Sequence, residues 1–152
     1  MQIELPDHEE FLCFAETLAN TSGAMLLTAS KTMPEVKIKS DASFVTNTDR
    51  AVEKKLREMI LSKYPDHGIF GEEFENVNTD AEFVWVLDPI DGTAAFVAGI
   101  PVYGTLIALA WKAMPFIGII DHPLTSDRWV GVSNHSAFHN GKPITTRACN
   151  LL

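Results

Sequence analysis

The hydrophobic pattern of this chain changes character once, at Gly68. Before Gly68, apolar residues recur with helical spacing in two segments, residues 7 to about 30 and residues 48–64. After it, short apolar runs lie between turn residues, which is typical of strands. The pattern predicts an α+β fold in which two N-terminal helices pack on a largely antiparallel sheet. Because the 152 residues contain no repeat and no linker, we expect a single domain.

Both predicted helices carry a signal near their first residue. Asp7 and Glu10 resemble a capping box at the start of the first helix. Thr48 is the expected N-cap of the second helix, which places Asp49 in the first turn, where the helix dipole favours a carboxylate. The inner faces are predicted to contain Phe11, Phe14, Ala15, Leu18, Ala19, Ser22, Met25 and Leu26 in the first helix and Val52, Leu56, Met59 and Ile60 in the second.

The second part of the chain predicts strands and tight turns. The strands are expected at residues 69–70, 83–87, 103–111, 116–121 and 129–132. The run at 83–87 is apolar without alternation, so we expect it to be buried on both faces. The residues "KAMP" predict a hairpin turn, and Asn140-Gly141 predicts a type I′ turn.

Charge and cysteine content narrow the functional classes. Twenty acidic against twelve basic residues give a net charge of -8 without a basic stripe, which argues against nucleic acid and anionic membranes as partners. No apolar run approaches the ~20 residues that cross a bilayer, and the N-terminus lacks a signal-peptide pattern. The five histidines form no i, i+4 pair and no cluster with the cysteines, which argues against a zinc site. Cys13 and Cys149 are expected to be reduced thiols of a cytoplasmic protein.

Acidic residues follow two of the predicted strands and begin a helix. Within "WVLDPIDGTAAF", Asp88 and Asp91 end a strand, Glu72 and Glu73 follow the short strand before it, and Asp49 begins the second helix. Hard divalent cations such as Mg²⁺ prefer carboxylate oxygens of this kind. Because adjacent strand ends can converge, we expect a cation site here. The alternative for each residue is a solvated loop charge, and for Glu73 taken alone this alternative is favoured.

The segment after Asp91 predicts a place for an anion. "GTAAFVAG" is expected to open a short helix, so the amides of Gly92, Thr93 and Ala94 would point outward together. Glycine allows close backbone approach, and the threonine hydroxyl can hold a water molecule. Because clustered carboxylates repel a bare phosphate, the arrangement requires a metal ion between them.

Several segments together resemble the inositol monophosphatase superfamily of metal-dependent phosphatases. They are "KSDASFVTNTDRAVE", "GEE" and "WVLDPIDGTAAFVAGIPVYGTLIAL", in the order and at the spacing of that family. The segments "PVYGTLIALAWKAMPFIGIIDHPLTSDRWVGV" and "GKPITTRACN" resemble its histidinol-phosphate phosphatase branch more than its inositol branch. The resemblance covers essentially the whole chain and implies the first half of the layered α/β sugar-phosphatase fold.

The resemblance implies a set of metal ligands. Glu72, Asp88 and the backbone carbonyl of Ile90 would hold a first Mg²⁺ ion, and Asp88 would bridge to a second ion shared with Asp91. Glu72 would also support a third, loosely bound ion through water. Two such ions would stabilise the attacking and leaving oxygens of an in-line displacement.

The resemblance also implies roles for the residues around the metals. Asp49 and Thr93 would orient and deprotonate the attacking water, and the amides of Gly92 and Thr93 would bind the phosphate. Glu73 would contact the metal ligands without binding a metal ion itself. Lys39 would lie in the mobile loop that the family folds over its site.

Members of this family continue into a second α/β half, which carries a further aspartate ligand and most of the substrate-recognition residues. The chain, residues 1–152, resembles the N-terminal half and stops at "TTRACNLL" before the second half, so its second metal site is expected to be incomplete. The sheet face that packs on the second half is expected to be apolar. Such a face, together with the family's tendency to dimerise, predicts a homodimer or higher oligomer.

The resulting functional prediction is a magnesium-dependent phosphomonoesterase acting on a small phosphorylated metabolite. Its predicted substrate is histidinol phosphate, an intermediate of histidine biosynthesis. One alternative is an inositol monophosphatase or a related sugar or nucleotide phosphatase. Another is a catalytically inactive half-chain that binds metal or phosphate.

Overall fold

The two long helices lie in the first part of the chain and most of the strands in the second, as the hydrophobic pattern predicts. The computed structural model describes residues 6–40, 44–135 and 137–147. Within these ranges the helices are α1 (Glu9–Ala29), α2 (Asn47–Lys63) and α3 (Thr93–Ala98). The strands are β1 (Val36–Ile38), β2 (Phe44–Thr46), β3 (Gly68–Gly71), β4 (Phe83–Asp91), β5 (Gly104–Trp111), β6 (Met114–His122), β7 (Asp127–Val132), β8 (Ala137–His139) and β9 (Lys142–Ile144).

A seven-stranded sheet carries β3 to β9 in chain order, and β1 and β2 form a separate antiparallel hairpin. Strands β3 and β4 run parallel, and each later pair from β4–β5 to β8–β9 is antiparallel. Antiparallel neighbours can be joined by short turns, which explains why the sheet follows the order of the chain. The predicted α+β fold with a largely antiparallel sheet is confirmed.

The hydrophobic core lies between the sheet and the two long helices. Leu18 of α1 and Leu56 of α2 are fully buried in one cluster with Trp85 of β4. Burying one such side chain contributes about 1.5–3 kcal/mol, so this layer is a main source of stability. The predicted inner faces are confirmed: Phe14, Ala15, Leu18, Ala19, Ser22, Leu26, Val52, Leu56 and Ile60 are buried, and Phe11, Met25 and Met59 are partly buried.

The predicted caps of both helices are wrong by one or two residues. The N-cap of α1 is His8, and Asp7 Oδ1 accepts a hydrogen bond from the Glu9 amide at 3.1 Å instead of forming a capping box. The N-cap of α2 is Thr46, which forms a capping box with Asp49. A capping box needs a side-chain acceptor three residues after the cap, and Asp49 meets this requirement only if the cap is Thr46.

Both predicted turns are present as two-residue hairpin loops. Lys112 and Ala113 join β5 to β6 with φ values of 50° and 61°, and Asn140 and Gly141 join β8 to β9 with φ values of 48° and 74°. Positive φ at both central residues defines the type I′ turn, whose twist matches that of a hairpin. The five predicted strands are also present: β5 begins one residue later than predicted, and the other four extend by up to four residues at an end.

The expectation that residues 83–87 are buried on both faces is wrong for the described part of the chain. Trp85 and Leu87 are buried beneath the helices, but Val86 points to the other face and is exposed. Phe70 and Ile120 are exposed on that same face, which borders a groove of about 800 Å³. The reason is that both long helices pack on one side of the sheet. We call the other side, with Phe70, Val86 and Ile120, the uncovered face.

Two smaller expectations concern membranes and thiols. Within the described ranges, neither long helix combines the length and the apolar character that a bilayer span requires. Cys13 is a free, exposed thiol on α1, and Cys149 lies outside the described residues.

Candidate metal and phosphate site

Strand β4 carries three of the predicted site residues, and an irregularity in its pairing with β5 sets their positions. Between Asp88 and Asp91 the register with β5 shifts, because β4 contains one extra residue there. Such a bulge bends the strand and redirects its side chains. Pro89 lies in this stretch, where its missing N–H is tolerated, and its carbonyl accepts a hydrogen bond from Thr105 Oγ1 at 3.0 Å. The two aspartates are therefore placed by the bulge and not by regular strand alternation.

In the described part of the site, Asp88 has a side-chain oxygen whose hydrogen-bonding capacity is not used. Its Oδ1 is buried and has no hydrogen-bond partner among the described residues. Burial, followed by the negative charges of Glu72 and Asp91, raises the pKa of Asp88 to about 7. A buried carboxylate oxygen without a donor is unfavourable, and nearby negative charges add to this cost. A divalent cation between these carboxylates would supply the missing positive charge.

Lys39 brings a positive charge to the same acidic group. It follows β1 directly, and its Nζ lies 3.0 Å from Glu72 Oε1 and 2.7 Å from Glu73 Oε1. Burial acts to lower the pKa of Lys39, but the hydrogen bonds to Glu73 and Glu72 outweigh it and raise the pKa. The ammonium group therefore stays charged and holds the end of β1 against the residues that follow β3.

The side chain of Glu73 is buried, so its interpretation as a solvated loop charge is wrong. Its side chain is 3% exposed, whereas that of Glu72 is 44% exposed. Burial raises the pKa of Glu73, and the bond from Lys39 opposes this rise. The two neighbouring glutamates thus differ in role: Glu73 is enclosed, and Glu72 remains accessible from solvent.

Asp49 and Thr93 meet although they are far apart in the sequence. Asp49 is buried, and its Oδ2 accepts hydrogen bonds from the amide of Thr46 at 2.8 Å and from the hydroxyl of Thr46 at 2.5 Å. Its Oδ1 lies 3.2 Å from Thr93 Oγ1, which also lies 3.1 Å from the carbonyl oxygen of Ile90. Because a hydroxyl donates one proton, these two acceptors share it. The capping box thus holds the Asp49 carboxylate beside Thr93.

The short helix expected after Asp91 is present as α3, which begins at Thr93. Its N-cap, Gly92, has φ of +84°, a left-handed conformation that side chains with a Cβ rarely adopt. The first amides of a helix have no acceptor within the helix. The amides at Gly92 and Thr93 can therefore donate to an anion placed beside Asp91.

Two residues that the sequence analysis did not single out support this site. Glu53 is a fully buried carboxylate on α2, and Arg57 lies one turn later on the same helix and contacts it. Glu53 Oε2 accepts the amides of Glu72 at 3.0 Å and Glu73 at 2.7 Å. The available signal was a pair of opposite charges spaced i, i+4 beside the inner-face residues of the second helix.

The residues present fit a metal ion in their chemistry. In the described ranges, no three side chains of His, Cys, Asp or Glu lie close enough to hold one ion together. The expected first site requires only two carboxylates, from Glu72 and Asp88, and one backbone carbonyl, from Ile90. The Asp88 oxygen, which has no partner in the described part of the chain, and an all-oxygen donor set suit Mg²⁺, which keeps several waters when it binds to proteins. The metal roles of these residues remain predictions.

Comparison with known proteins connects this geometry to a family. The model of the inositol monophosphatase family matches residues 7–152. A chloroplastic bifunctional phosphatase of Arabidopsis thaliana is 39% identical over 153 residues, covering 98% of this chain and 44% of the relative. A histidinol-phosphatase of Chlorobaculum parvum is 38% identical over 110 residues, covering 72% of this chain and 42% of the relative.

A solved structure agrees with the fold. An inositol monophosphatase from Zymomonas mobilis matches with a TM-score of 0.79 at 38% identity, covering 95% of this chain and 56% of that one. The chain therefore spans about half the length of the relatives it matches. The matches confirm the resemblance drawn from the motifs. This chain belongs to the inositol monophosphatase family.

Proposed function

We propose that this chain supplies the first metal site of a magnesium-dependent phosphomonoesterase. The observation that supports this most directly is the Oδ1 of Asp88, which is buried, has no partner among the residues that the structure describes, and lies beside the charges of Glu72 and Asp91. An arrangement that is unfavourable without a cation becomes favourable with one, because the cation provides both charge and coordination. The names of the relatives, which are phosphatases, support the reaction class.

The proposed ligands follow the motif residues. Glu72, Asp88 and the carbonyl of Ile90 would hold a first Mg²⁺ ion, and Asp88 and Asp91 would contribute to a second. When bound, these ions would polarise the phosphate and favour ionisation of a water molecule. Glu72 is the more accessible of the two glutamates, which favours its assignment as the ligand. Glu73 would contact the ligands without binding a metal ion itself.

Asp49 and Thr93 are proposed to act on the attacking water. Thr93 Oγ1 can accept a hydrogen bond from that water while its own proton points to Asp49 Oδ1, 3.2 Å away. The carboxylate of Asp49 is buried and held by Thr46, so it can receive a proton without moving. The amides of Gly92 and Thr93 would orient the phosphate at the start of α3.

The proposed substrate is histidinol phosphate. The Chlorobaculum relative, a histidinol-phosphatase, supports this choice, as do the framework segments of the sequence. A second candidate is inositol phosphate, which the Zymomonas inositol monophosphatase supports at the same 38% identity. The third candidate is a chain that binds metal or phosphate without turnover.

Phosphate release from a panel of monoesters, with magnesium chloride or with a chelator, tests these candidates. We expect release only with magnesium, and faster release from histidinol phosphate than from inositol phosphate. The reverse order would replace the first substrate with the second. Magnesium binding by calorimetry without turnover would support the inactive module, and indifference to magnesium in both assays would contradict a metal site. Location in the cytoplasm stays a prediction.

A further inference from the structure

The carboxylate of Glu53 is a buried charge that the proposed chemistry does not use. Its side chain is fully buried on α2, in the layer between the helix and the sheet. A buried carboxylate lowers stability unless it is paired and hydrogen-bonded. The groups that hydrogen-bond to this carboxylate therefore indicate its role.

Both oxygens of Glu53 are engaged. Oε1 accepts from Arg57 Nε at 2.8 Å, and Oε2 accepts from the backbone amides of Glu72 at 3.0 Å and Glu73 at 2.7 Å. The other guanidinium nitrogens of Arg57 donate to the carbonyls of Glu75 at 3.0 Å and of Phe74 at 3.1 Å. The pair therefore holds the segment 72–75 at its first two amides and at its last two carbonyls. Hydrogen bonds of this kind are strengthened by the charge on one partner.

The residue before this segment shows how closely it approaches the pair. A Cβ added to Gly71 would overlap Glu53 Oε1 and would lie 2.6 Å from Arg57 Nη2. Only glycine lets the backbone pass at this distance. The close approach places the amides of the following residues within hydrogen-bond distance of the carboxylate.

We propose that Glu53 and Arg57 are positioning residues that fix the backbone of Glu72 and Glu73, so that the Glu72 carboxylate lies beside Asp88 in a geometry that binds Mg²⁺. The inference rests on the proposed function, because it takes Glu72 as a metal ligand. Neither Glu53 nor Arg57 would contact the ion. Their effect passes through the backbone of the ligand.

Glu53→Gln tests the proposal at constant size. A glutamine amide group would meet a donor at one end, either Arg57 Nε–H or the two backbone amides, so one set of bonds is lost. Partners that orient a ligand typically change metal affinity by about 10–100-fold, so we expect the midpoint of a calorimetric magnesium titration to lie at a magnesium concentration at least about tenfold higher. Arg57→Lys keeps the positive charge but loses the planar guanidinium group that donates to several acceptors at once. This milder second variant should move the midpoint in the same direction.

Ile60→Val is the matched control. Ile60 is buried on the same helix, almost two turns beyond Glu53, and the substitution destabilises the fold without touching segment 72–75. We expect its magnesium midpoint to equal that of the wild type. Hydrogen exchange without magnesium gives an independent readout: the Glu72 and Glu73 amides should exchange faster in Glu53→Gln relative to the Ile69 amide, which is bonded to Val77.

The outcomes separate this inference from the proposed function. A wild type without any magnesium response overturns the proposed function and, with it, the metal-positioning role of Glu53. A normal wild-type response with unchanged midpoints and unchanged exchange in both variants overturns only this inference. A midpoint shift shared equally by Ile60→Val also overturns it, because the effect would then come from general destabilisation.

Discussion

At the scale of single residues, Asp88 differs from an ordinary loop carboxylate in two ways. One of its oxygens is buried without a partner among the described residues, and its pKa is raised to about 7 by burial and by Glu72 and Asp91. A solvated aspartate at a strand end would show neither property. The position of this one side chain therefore provides the sharpest test of the site.

We predict that Asp88→Asn abolishes the magnesium-dependent stabilisation of the protein. The wild type should gain about 2.7 kcal/mol at a magnesium concentration one hundred times its dissociation constant, because ligand binding stabilises the folded state. Without metal, the variant should be at least as stable as the wild type, since a repelled, buried charge has been removed. Melting curves across a magnesium series, with a chelator as baseline, measure both effects.

Asp80→Asn is the control for this prediction. Asp80 is an exposed carboxylate in the loop before β4, so its removal changes the net charge equally without touching the site. We expect a wild-type magnesium response from this variant. A wild-type response from Asp88→Asn would mean that Asp88 is not a ligand, and the assignment of the site would be wrong.

At the scale of elements, the start of α3 depends on a backbone conformation that one glycine supplies. Gly92 has φ of +84°, yet a Cβ added there would come no closer than 3.5 Å to a neighbour. A substitution is therefore disfavoured by backbone conformation and not by a clash. This helix start also presents the proposed phosphate-binding amides.

We predict that Gly92→Ala lowers the free energy of unfolding by about 1–2 kcal/mol, the cost of a left-handed conformation for a residue with a Cβ. Gly118→Ala is the matched control, because nothing lies within 4 Å of its added Cβ and its φ is not positive. There, stability should stay equal or rise by up to about 1 kcal/mol. Urea denaturation measures both, and equal effects at the two glycines would contradict the argument.

The connection from α2 to β3 contains a histidine that must be neutral. The His67 ring stacks on Tyr64 with centroids 4.5 Å apart, and its Nδ1 accepts the Trp85 Nε1–H bond at 3.1 Å. Burial lowers the pKa of His67 below its usual 6.5, while the charge of Asp66 opposes this shift. Since the unfolded chain binds this proton more readily, the contribution of His67 to stability is present above pH 6.5 and is lost as the pH falls towards its folded pKa.

We predict that the wild type loses stability relative to His67→Phe as the pH falls from about 7 to about 5. Phenylalanine keeps the stacking but does not titrate, and it leaves the Trp85 N–H without its acceptor, so the variant starts less stable by about 1 kcal/mol. Denaturation at both pH values gives the difference between the two proteins. A difference that is independent of pH would contradict the assignment of a neutral, half-buried His67.

At the scale of the whole molecule, the two long helices cover one face of the sheet in the described chain, and apolar side chains are exposed on the uncovered face. Phe70 is 51% exposed there and Ile120 is 43% exposed, beside a largely apolar groove that reaches Glu72 and Asp88. Monomeric proteins rarely expose large contiguous apolar patches. The expected apolar face is thus a feature of the described residues, and it borders the proposed metal site.

We predict that the protein associates through the uncovered face at micromolar concentration, as a dimer or a higher oligomer. Ile120→Lys places a charge at the centre of that face, opposite Leu106 and Trp129, and should yield a monomer with an intact fold. Sedimentation and circular dichroism measure these two properties. A wild type that sediments as a monomer would contradict the prediction.

The sequence by itself determined the features that depend on neighbouring residues. Helical spacing located α1 and α2 because side chains three and four residues apart share a face. Asn140-Gly141 located a type I′ turn because both residues tolerate positive φ. The acidic residues after β3 and at the end of β4 marked the candidate site before any contact was known.

Only the tertiary structure decided which of these residues meet and how they are buried. An apolar run does not state how many of its faces are covered, so the exposure of Val86 could not be read from residues 83–87. Glu53 meets the Glu72 amide across 19 positions, and Asp49 meets Thr93 across 44. Hydrogen bonds and desolvation depend on distance in space, whereas propensity and periodicity act along the chain. For this reason the pattern of acidic residues could be predicted. The Asp88 oxygen without a partner among the described residues, and the hydrogen bonds of the buried Glu53, could not.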